Sequence, residues 1–505
     1  MGFTTRMFSR CLFAFFAACL LPLLAGEAEQ PSPPAKPAAA PAAAAPIKWG
    51  KVTVSGSIRT RLEMWDWMEG GANNSYAFSG NLFKLSLSAS SKKADWQVEL
   101  AAPLLLGLPD DATAPAPQGP LGLGAIYSNS NDRHRNAAMV FPKQGWVRMK
   151  GLFGSEANSL KLGRFEFREG AEIAKKHAAL NVITQSRIAD RMIGPFSWTH
   201  VGRSFDGFHF VSAQKNSTVT LAGFMPTRGA FQVDGWGNLN IGVGYASLAG
   251  ASSKGRNHND WRVMGIYYQD WRHVLKTDNR TLPARQADLA NIRIGTIGGH
   301  YSHLTETSSG AVDFMLWGVL QTGRWGRLDH EAHAVSIEGG WQPKVLPGLK
   351  PWIRAGYTHG SGDENPNDSK HGTFMQMLPT ARLFARFPFS NMMNNEDAFG
   401  MITLRPHKDF TVKTEGHSLR LANRNDLWYQ GGGAFQPWSF GYVGRNTSGA
   451  RGLATYYDVS ADWNVNPHVT LSGFWGYAIG KSAMARIYPQ GKDGAMGYLE
   501  LLYKF

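Results

Sequence analysis

Apolar and polar residues alternate with a period of two along many segments of this chain. In residues 57–65, SIRTRLEMW, Ile58 and Leu62 fall on one side of an extended strand, and Arg59 and Arg61 fall on the other. This alternation predicts strands with one apolar face and one charged face. We place eighteen such strands at residues 51–66, 80–90, 93–102, 144–151, 157–165, 204–213, 217–225, 238–248, 260–270, 290–303, 311–321, 332–343, 350–358, 397–406, 410–422, 453–463, 468–479 and 495–505.

The connections between these strands alternate between long and short. The longest, residues 103–143, 166–203, 359–396 and 423–452, all follow odd-numbered strands. Those that follow even-numbered strands are mostly tight turns. A soluble β-sandwich or β-propeller does not require long and short connections to alternate. A transmembrane antiparallel β-barrel does, because it has short turns at its periplasmic end and long loops outside the cell. The sequence therefore predicts an all-β barrel of about 18 strands in the bacterial outer membrane.

The last segment, AMGYLELLYKF (residues 495–505), resembles the terminal strand that the barrel assembly machinery recognises in outer-membrane proteins. The alternative for this segment alone is an edge strand of a soluble sandwich. A charge on the lipid face of a barrel costs up to about 2–4 kcal/mol at mid-bilayer, so we expect the charged faces to line the lumen.

Three regions differ in composition. Residues 1–25 predict a signal peptide, with Arg6 and Arg10 before a short apolar run. Residues 26–47 are rich in alanine and proline and predict a disordered periplasmic tether. Residues 48–505 then form the barrel.

Cysteine and charge content limit the chemistry. The two cysteines, Cys11 and Cys19, lie in the predicted leader, which leaves the mature chain without disulfides or thiolate metal sites. The formal charge of +14 indicates a polyanionic partner, such as anionic lipid headgroups or an acidic polysaccharide. Nucleic acid is a poor candidate for an exported protein.

Basic residues on the predicted lumen faces carry the main functional signal. Rings of arginine and lysine in a pore select for anions. Alternation places ten of them in the lumen: Arg59, Arg61, Lys84, Arg148, Lys150, Lys161, Arg293, Arg354, Arg420 and Lys504. The alternative is that they only brace the wall, by forming ion pairs with carboxylates on the same faces. These carboxylates are Glu63, Glu99, Asp313, Asp458 and Asp462.

Signals for metal binding and catalysis are weak. Asp363, Glu364 and Asp368 cluster in residues 359–373 and could hold calcium, but the segment lacks the EF-hand pattern, and a solvated loop explains it as well. Glu166 and Glu169 could act as acid and base, but no partner spacing supports this role. We therefore predict that the protein is not an enzyme and has no cofactor. Calcium is the one metal ion for which the sequence offers candidate ligands.

Four longer segments resemble the alginate export family of outer-membrane porins. They occur in order along most of the chain: LKLGRFEFREG (160–170), GRSFDGFHF (202–210), GSGDENPNDSKHGTFMQMLPT (360–380) and NNEDAFGMITLRPHKDFTVKTEGHSLRLANRNDLWYQGGGAFQ (394–436). The resemblance implies an eighteen-stranded monomeric barrel with an electropositive constriction, through which an acidic polyuronate passes outward, and loops that can gate it. It adds pore or loop candidates from the family's polar motifs, namely Arg164, Glu166, Arg203, Asp206, Arg420, Arg424 and Asp426. The segment ARLFARFPFS departs from the family pattern and adds Arg382 and Arg386.

Together these observations predict an outer-membrane channel that passes an anionic, alginate-like polysaccharide or uronate oligomers through an arginine-lined pore. The alternatives are a general anion or nutrient porin and an outer-membrane enzyme that degrades polysaccharide. The predicted partners are outer-membrane lipid and lipopolysaccharide, the anionic polysaccharide, the barrel assembly machinery and periplasmic export proteins.

Overall fold

The structure is a computed structural model that describes residues 47–172, 177–381, 384–389 and 391–505. The predicted leader, nearly all of the predicted tether, and Arg382 lie outside the described residues.

Eighteen long strands follow one another along the described chain. They are β1 (Val52–Asp66), β2 (Ser75–Ser90), β3 (Ala94–Leu106), β4 (Phe141–Lys150), β5 (Asn158–Phe165), β6 (Phe205–Ala213), β7 (Ser217–Pro226), β8 (Ile241–Lys254), β9 (Asn257–Asp270), β10 (Ile292–Thr307), β11 (Gly310–Trp325), β12 (Leu328–Pro343), β13 (Trp352–Gly360), β14 (Asn395–His407), β15 (Phe410–Leu421), β16 (Gly452–Asn464), β17 (Val469–Gly480) and β18 (Gly494–Lys504). Each overlaps one of the strands predicted from alternation, so that prediction is confirmed.

The eighteen strands form one closed antiparallel barrel. Each strand pairs with the next, and β18 pairs with β1 from Ser57↔Lys504 to Asp66↔Ala495. Gly56 and Phe505 complete the seam with two backbone hydrogen bonds of 2.9 and 3.1 Å. Closure removes the unpaired edge that a sheet would otherwise expose to lipid, where backbone groups have no water to bind.

The two ends of the barrel differ as predicted. At one end the strands are joined by short turns such as 91–93, 214–216, 255–256 and 308–309. At the other end the connections include residues 107–140, 166–204, 361–394 and 422–451. One connection at this end is short, because residues 326–327 alone join β11 to β12.

Short elements decorate the connections. The helices are α1 (Leu123–Ser130), α2 (Ala178–Ile183), α3 (Leu282–Gln286) and α4 (Ser482–Ile487), with a 3₁₀ turn at Leu152–Gly154 and a π-helical turn at Thr184–Ile188. The short strands are Ile47–Trp49, Asn136–Ala138, Lys370–His371, Trp428–Gly431 and Tyr442–Arg445. No helix in the described ranges is long and apolar enough to cross a membrane.

The outer face of the wall is apolar, and charged side chains on many strands point inward. Ile297 and Leu320, which lie opposite one another on β10 and β11, are 62% and 63% exposed. Arg61 and Glu63 on β1 point into the lumen and are buried, whereas Leu62 between them is exposed. This is the orientation predicted from the alternation of β1.

The long loops fold back into the lumen and pack there. In loop 361–394, Phe374 and Leu378 are completely buried, and in loop 166–204 the same holds for Ile188 and Ile193. The two loops are joined by backbone hydrogen bonds from Leu378 N to Met192 O and from Gly194 N to Leu378 O, both 2.8 Å. Complete burial stabilises each such side chain by roughly 1.5–3 kcal/mol. The two loops therefore form a packed plug, which we call the loop plug (residues 166–204 and 361–394).

The orientation of β11 leads to a stability prediction. Leu316 lies near the middle of β11, on the outer face. We expect Leu316→Arg to lower the free energy of unfolding by about 2–4 kcal/mol, because the arginine would lie in hydrocarbon. Urea unfolding in lipid vesicles measures this change. Leu316→Ala is the control, because it removes the same contacts without adding a charge, and an arginine variant as stable as the alanine variant would contradict the assigned orientation.

Candidate pore and its charged lumen

Three basic side chains lie close together at the periplasmic end of the lumen, and two of them share one carboxylate. Arg148 and Lys150 on β4 both bind Asp95 on β3, with Nε and Nζ at 2.8 and 2.7 Å from its oxygens. Lys161 on β5 lies directly opposite Arg148, and its Nζ is 4.6 Å from the centre of the Trp146 ring. We call Arg148, Lys150 and Lys161 the basic mouth. Because Asp95 pairs with Arg148 and Lys150 and balances only one of the three positive charges, the periplasmic entrance keeps a positive excess.

Further into the barrel, two lysines alternate with two glutamates. Lys84 Nζ lies 3.2 Å from Glu99 and 3.4 Å from Glu166, and Lys143 Nζ lies 3.9 Å from Glu166. Glu166 directly follows β5. Burial raises the pKa of its carboxyl group, but Lys84 and Lys143 outweigh this effect, so the pKa lies below its usual value. Glu166 is therefore held as a carboxylate between the two lysines.

Arg59 and Arg61 connect the wall to the loop plug. Arg61 binds Glu500 on β18 at 2.6 Å and contacts Glu63 at 3.4 Å, and its guanidinium lies 4.5 Å from the Trp198 ring centre. Arg59 donates to the carbonyl oxygens of Ser197, at 2.8 Å, and of Thr199. The contacts of Arg61 agree with the alternative that the basic residues form ion pairs and brace the wall. Arg59 is instead held mainly by backbone oxygens of the loop.

Glu338 on β12 is the centre of the largest ion-pair cluster. Arg187 contacts both of its oxygens at 2.8 and 3.0 Å, and Arg191 contacts one of them at 3.1 Å. Arg354 on β13 binds Glu338 at 2.8 Å and also pairs with Asp313 on β11. Glu338 and all three arginines are buried. Since Arg187 and Arg191 belong to the loop plug, this cluster fastens the plug to the barrel wall.

The space next to this cluster is small. A cavity between Arg187, Arg191 and loop 361–394 has a volume of about 20 Å³. Such a volume holds a single water molecule, so the loop plug packs closely around the two arginines at this point.

The carboxylates considered as an acid–base pair are both held in ion pairs. Glu166 lies between Lys84 and Lys143, and Glu169 pairs with Arg262 on β9. Burial raises the pKa of Glu169 although Arg262 opposes this effect. The two carboxylates therefore serve in the lumen's charge network.

Seven predicted pore residues point into the lumen as expected from alternation. They are Arg59, Arg61, Lys84, Arg148, Lys150, Lys161 and Arg354. Lys504 lies at the exposed periplasmic end of β18, on the lumen side of that strand.

Four predicted pore residues lie instead on the outer side of the wall. Arg293 is exposed and lies between Ile292 and Ile294, which are buried in the lumen. Arg420 likewise lies between the inward-facing Leu419 and Leu421, and it pairs with Glu396. The predicted lumen positions of Arg293 and Arg420 are wrong. The loop plug makes the lumen apolar here, so apolar side chains face inward and the charged ones face outward.

The other two outward residues form a pair. Arg164 binds Asp206 through two 2.7 Å hydrogen bonds, and it shares the face of the exposed Leu162. Asp206 shares the face of the exposed Phe208. Both residues lie at the extracellular ends of β5 and β6, so their assignment to the pore is wrong.

Three motif residues lie in the loops. Arg203 is buried and donates to the carbonyl oxygens of Gly432 and Ala434, at 2.6 and 3.2 Å. Asp426 is also buried and accepts hydrogen bonds from Asp363 N at 2.9 Å and Thr373 Oγ1 at 2.6 Å. Burial raises the pKa of Asp426 to about 6. Arg424 is exposed in loop 422–451.

The calcium candidates do not converge. Asp363 and Asp368 each accept a hydrogen bond from a backbone N–H two residues ahead, at 3.0 and 2.8 Å, and Glu364 is exposed. Over the ranges that the structure describes, the group of three potential ligands that comes together lies elsewhere, at His177, His258 and Glu306. Calcium binding stays an untested prediction.

Sequence reasoning missed several members of the charge network. Arg187 lies in the π-helical turn Thr184–Ile188 and Arg191 lies just beyond it, and nothing in the sequence of this loop indicated that they lie in the lumen. The inward direction of Lys143 could not be predicted from alternation, because the register of β3 and β4 is irregular between Glu99 and Leu100. Glu338 follows the alternation of β12 and could have been found from it.

Comparisons with known proteins agree with this architecture. The profile of the alginate export family matches residues 51–473. OccK9 (OpdG) of Pseudomonas aeruginosa is 11% identical, with 90% of this chain and 98% of that chain covered and a TM-score of 0.54. OccAB4 of Acinetobacter baumannii is 8% identical with the same coverage and a TM-score of 0.53. No curated protein matches the chain.

The Glu338 cluster predicts a change in channel opening. Glu338→Gln removes the charge that balances the three arginines, and breaking a buried ion pair destabilises by about 3–5 kcal/mol. We expect the loop plug to be released more often, which single-channel recording would show as a higher open probability. Glu331→Gln is the control, since Glu331 lies on the same strand in an exposed pair with Lys370, where pairs are worth about 0.2–1 kcal/mol. Identical recordings from Glu338→Gln and the wild type would argue against this anchor.

Asp190 in the loop plug predicts a pH dependence. Its carboxyl group lies 2.9 Å from Arg168 Nε, yet burial raises its pKa to about 7. The unfolded value is about 3.9, so the folded state binds the proton more tightly, and the free energy of unfolding falls as the pH rises from about 4 through 7. We expect the loop plug to be cleaved faster in limited proteolysis at pH 8 than at pH 6.

The variant Asp190→Asn should flatten this pH dependence, because it cannot ionise. Asp132→Asn, at an exposed position in loop 107–140, should retain it. An unchanged pH dependence in Asp190→Asn would assign the effect to another group.

Proposed function

Because the chain belongs to the alginate export family and is a channel of the bacterial outer membrane, we propose that it passes an anionic polysaccharide of the polyuronate class, or uronate oligomers, from the periplasm outward. The observation that carries this proposal is the basic mouth, where Asp95 pairs with Arg148 and Lys150 and Lys161 lies over the Trp146 ring. A polymer leaving the periplasm meets this cluster first. Arginine and lysine at a pore entrance favour anions.

The charges deeper in the lumen support stepwise movement. Lys84 and Arg61 lie further inside, and Arg354 lies near the opposite wall. Each is already paired with a carboxylate, so it attracts an incoming uronate less than a free cation would. Weak successive sites let a polymer enter and also leave. The carboxylates of the wall thus keep the basic sites from trapping the polymer.

The loop plug gives this channel a gate. On this proposal, Arg187 and Arg191 leave Glu338 when a sugar chain passes, because these two ion pairs hold the loop plug against the wall. A uronate carboxylate can replace Glu338 as the partner of these arginines. The polymer itself would then stabilise the open arrangement, as a ligand favours the state that it binds better.

The arginines on the outer side support the predicted contact with lipopolysaccharide. Arg293 and Arg324 lie opposite each other on β10 and β11 at the extracellular end. Arg324 pairs with Asp329 at 2.7 Å. Basic side chains at this height suit the anionic headgroups of the outer leaflet, and they explain why charges are tolerated on this face.

Single-channel recording in a planar bilayer tests the transport proposal. We expect anion selectivity and block of the current by polymannuronate, with no block by a neutral glucan of matched length. In Lys161→Gln the block should weaken about fivefold, because one charge pair about 4 Å apart in water is worth about 1 kcal/mol. Arg293→Gln, on the outer face, should leave the block unchanged.

Two outcomes would contradict the proposal. Cation selectivity would exclude a basic mouth that controls permeation. Equal block by both polymers would show a general porin without polymer specificity. Turnover of the polymer by the purified protein would instead favour an enzyme.

A further inference from the structure

Two histidines and a glutamate from three different elements meet at the periplasmic end of the lumen. His177 precedes α2 in loop 166–204, His258 lies at the start of β9, and Glu306 lies near the end of β10. One potential ligand atom from each comes within 4.8 Å of those of the other two. His177 Nε2 lies 4.0 Å from Glu306 Oε1, and the two imidazole rings stack with their centres 4.1 Å apart. Loop 166–204 thus enters from the extracellular end of the barrel and reaches the opposite end at this point.

The surroundings of His258 orient its ring. Its Nδ1 lies 2.9 Å from Ser253 Oγ, a residue of β8 across the short turn. This hydrogen bond leaves Nε2 as the free nitrogen of His258. A partner on the second ring nitrogen is the usual way in which proteins orient a histidine that binds a metal. By alternation both His258 and Glu306 point into the lumen, as the buried Asp260 and Leu304 do.

The donor set fits a particular class of metal. Imidazole nitrogen with one carboxylate oxygen suits Zn²⁺, Cu²⁺ or Ni²⁺, whereas calcium requires several oxygen ligands. In a tetrahedral zinc site with metal–ligand distances of about 2.0–2.1 Å, the ligand atoms are roughly 3.3 Å apart. With the His258 ring held by Ser253, rotations of His177 and of the exposed Glu306 would bring the atoms from their present separations to that value.

We propose that His177, His258 and Glu306 form a binding site for a divalent transition metal of the zinc class, which fastens loop 166–204 to β9 and β10 at the periplasmic end. The three protein ligands leave a fourth position for water. Metal binding at this point adds a further link between the loop plug and the wall, nearer the periplasmic end than the Glu338 cluster. The consequence for gating rests on the proposed channel function, whereas metal binding itself does not.

Isothermal titration of the purified, tag-free protein in detergent with ZnCl₂ tests the site. We expect one equivalent of Zn²⁺ to bind, and we expect His258→Ala and Glu306→Gln each to weaken binding at least tenfold. His468→Ala is the matched control, since His468 is a half-buried histidine at another periplasmic turn. Titration with Co²⁺ gives a visible spectrum that reports nitrogen and oxygen coordination directly. A wild-type protein that binds no Zn²⁺, or variants that all bind equally, would overturn the proposal.

Planar-bilayer recording separates this proposal from the transport function. Zn²⁺ added on the periplasmic side should lower the open probability of the wild-type channel and leave His258→Ala unaffected. If Zn²⁺ binds but the current does not respond, the gating consequence fails and the site stands. If Zn²⁺ does not bind while polymannuronate still blocks the current, the metal site fails and the transport proposal stands.

Discussion

The need to pair every backbone N–H and C=O in the membrane controls the rest of this structure. In lipid an unpaired group costs several kcal/mol, so a spanning sheet must close on itself. Here the last strand completes the ladder of the first, from Ser57↔Lys504 to Asp66↔Ala495. Closure gives every strand an outer and an inner face. The inner face of an eighteen-stranded barrel encloses more space than side chains alone can fill, and in this protein the loop plug (residues 166–204 and 361–394) occupies it.

The loop plug changes which residues the lumen accepts. Where the wall meets its apolar side chains, residues such as Ile292, Ile294, Leu419 and Leu421 face inward. Where its arginines meet the wall, the contacts are charged, as at Glu338. Burying a charge without a partner is far more costly than burying a pair, and this accounts for the carboxylate found beside most of the buried guanidinium groups. The lumen is consequently part hydrophobic core and part salt-bridge network.

This mixed lumen explains how far the sequence could predict the structure. Alternation within a strand is local information, and it was sufficient for all eighteen strands and for the inward direction of Arg61 and Arg148. The rule that charge faces the lumen assumes a water-filled interior. It failed at Arg293 and Arg420, where the interior is apolar and the outer side lies at the extracellular end of the wall. Arg187 and Arg191 lie in the lumen because a long loop folds back into it. No local sequence pattern predicts where such a loop packs.

If the loop plug moves as proposed, the same ion pairs have different strengths before and after the movement. With the loop plug in place, water is excluded from Glu338 and its arginines, and an effective dielectric constant near 20 makes a charge pair at 4 Å worth about 4 kcal/mol. Once the plug moves and water enters, the same pair is worth about 1 kcal/mol. A carboxylate on a passing polymer can then compete with Glu338 for Arg354 on almost equal terms. On the proposed function, the paired arginines therefore act as a lock in the closed channel and as weak exchange sites in the open one. On the same proposal, the positive excess of the basic mouth attracts an anion before the lock has opened.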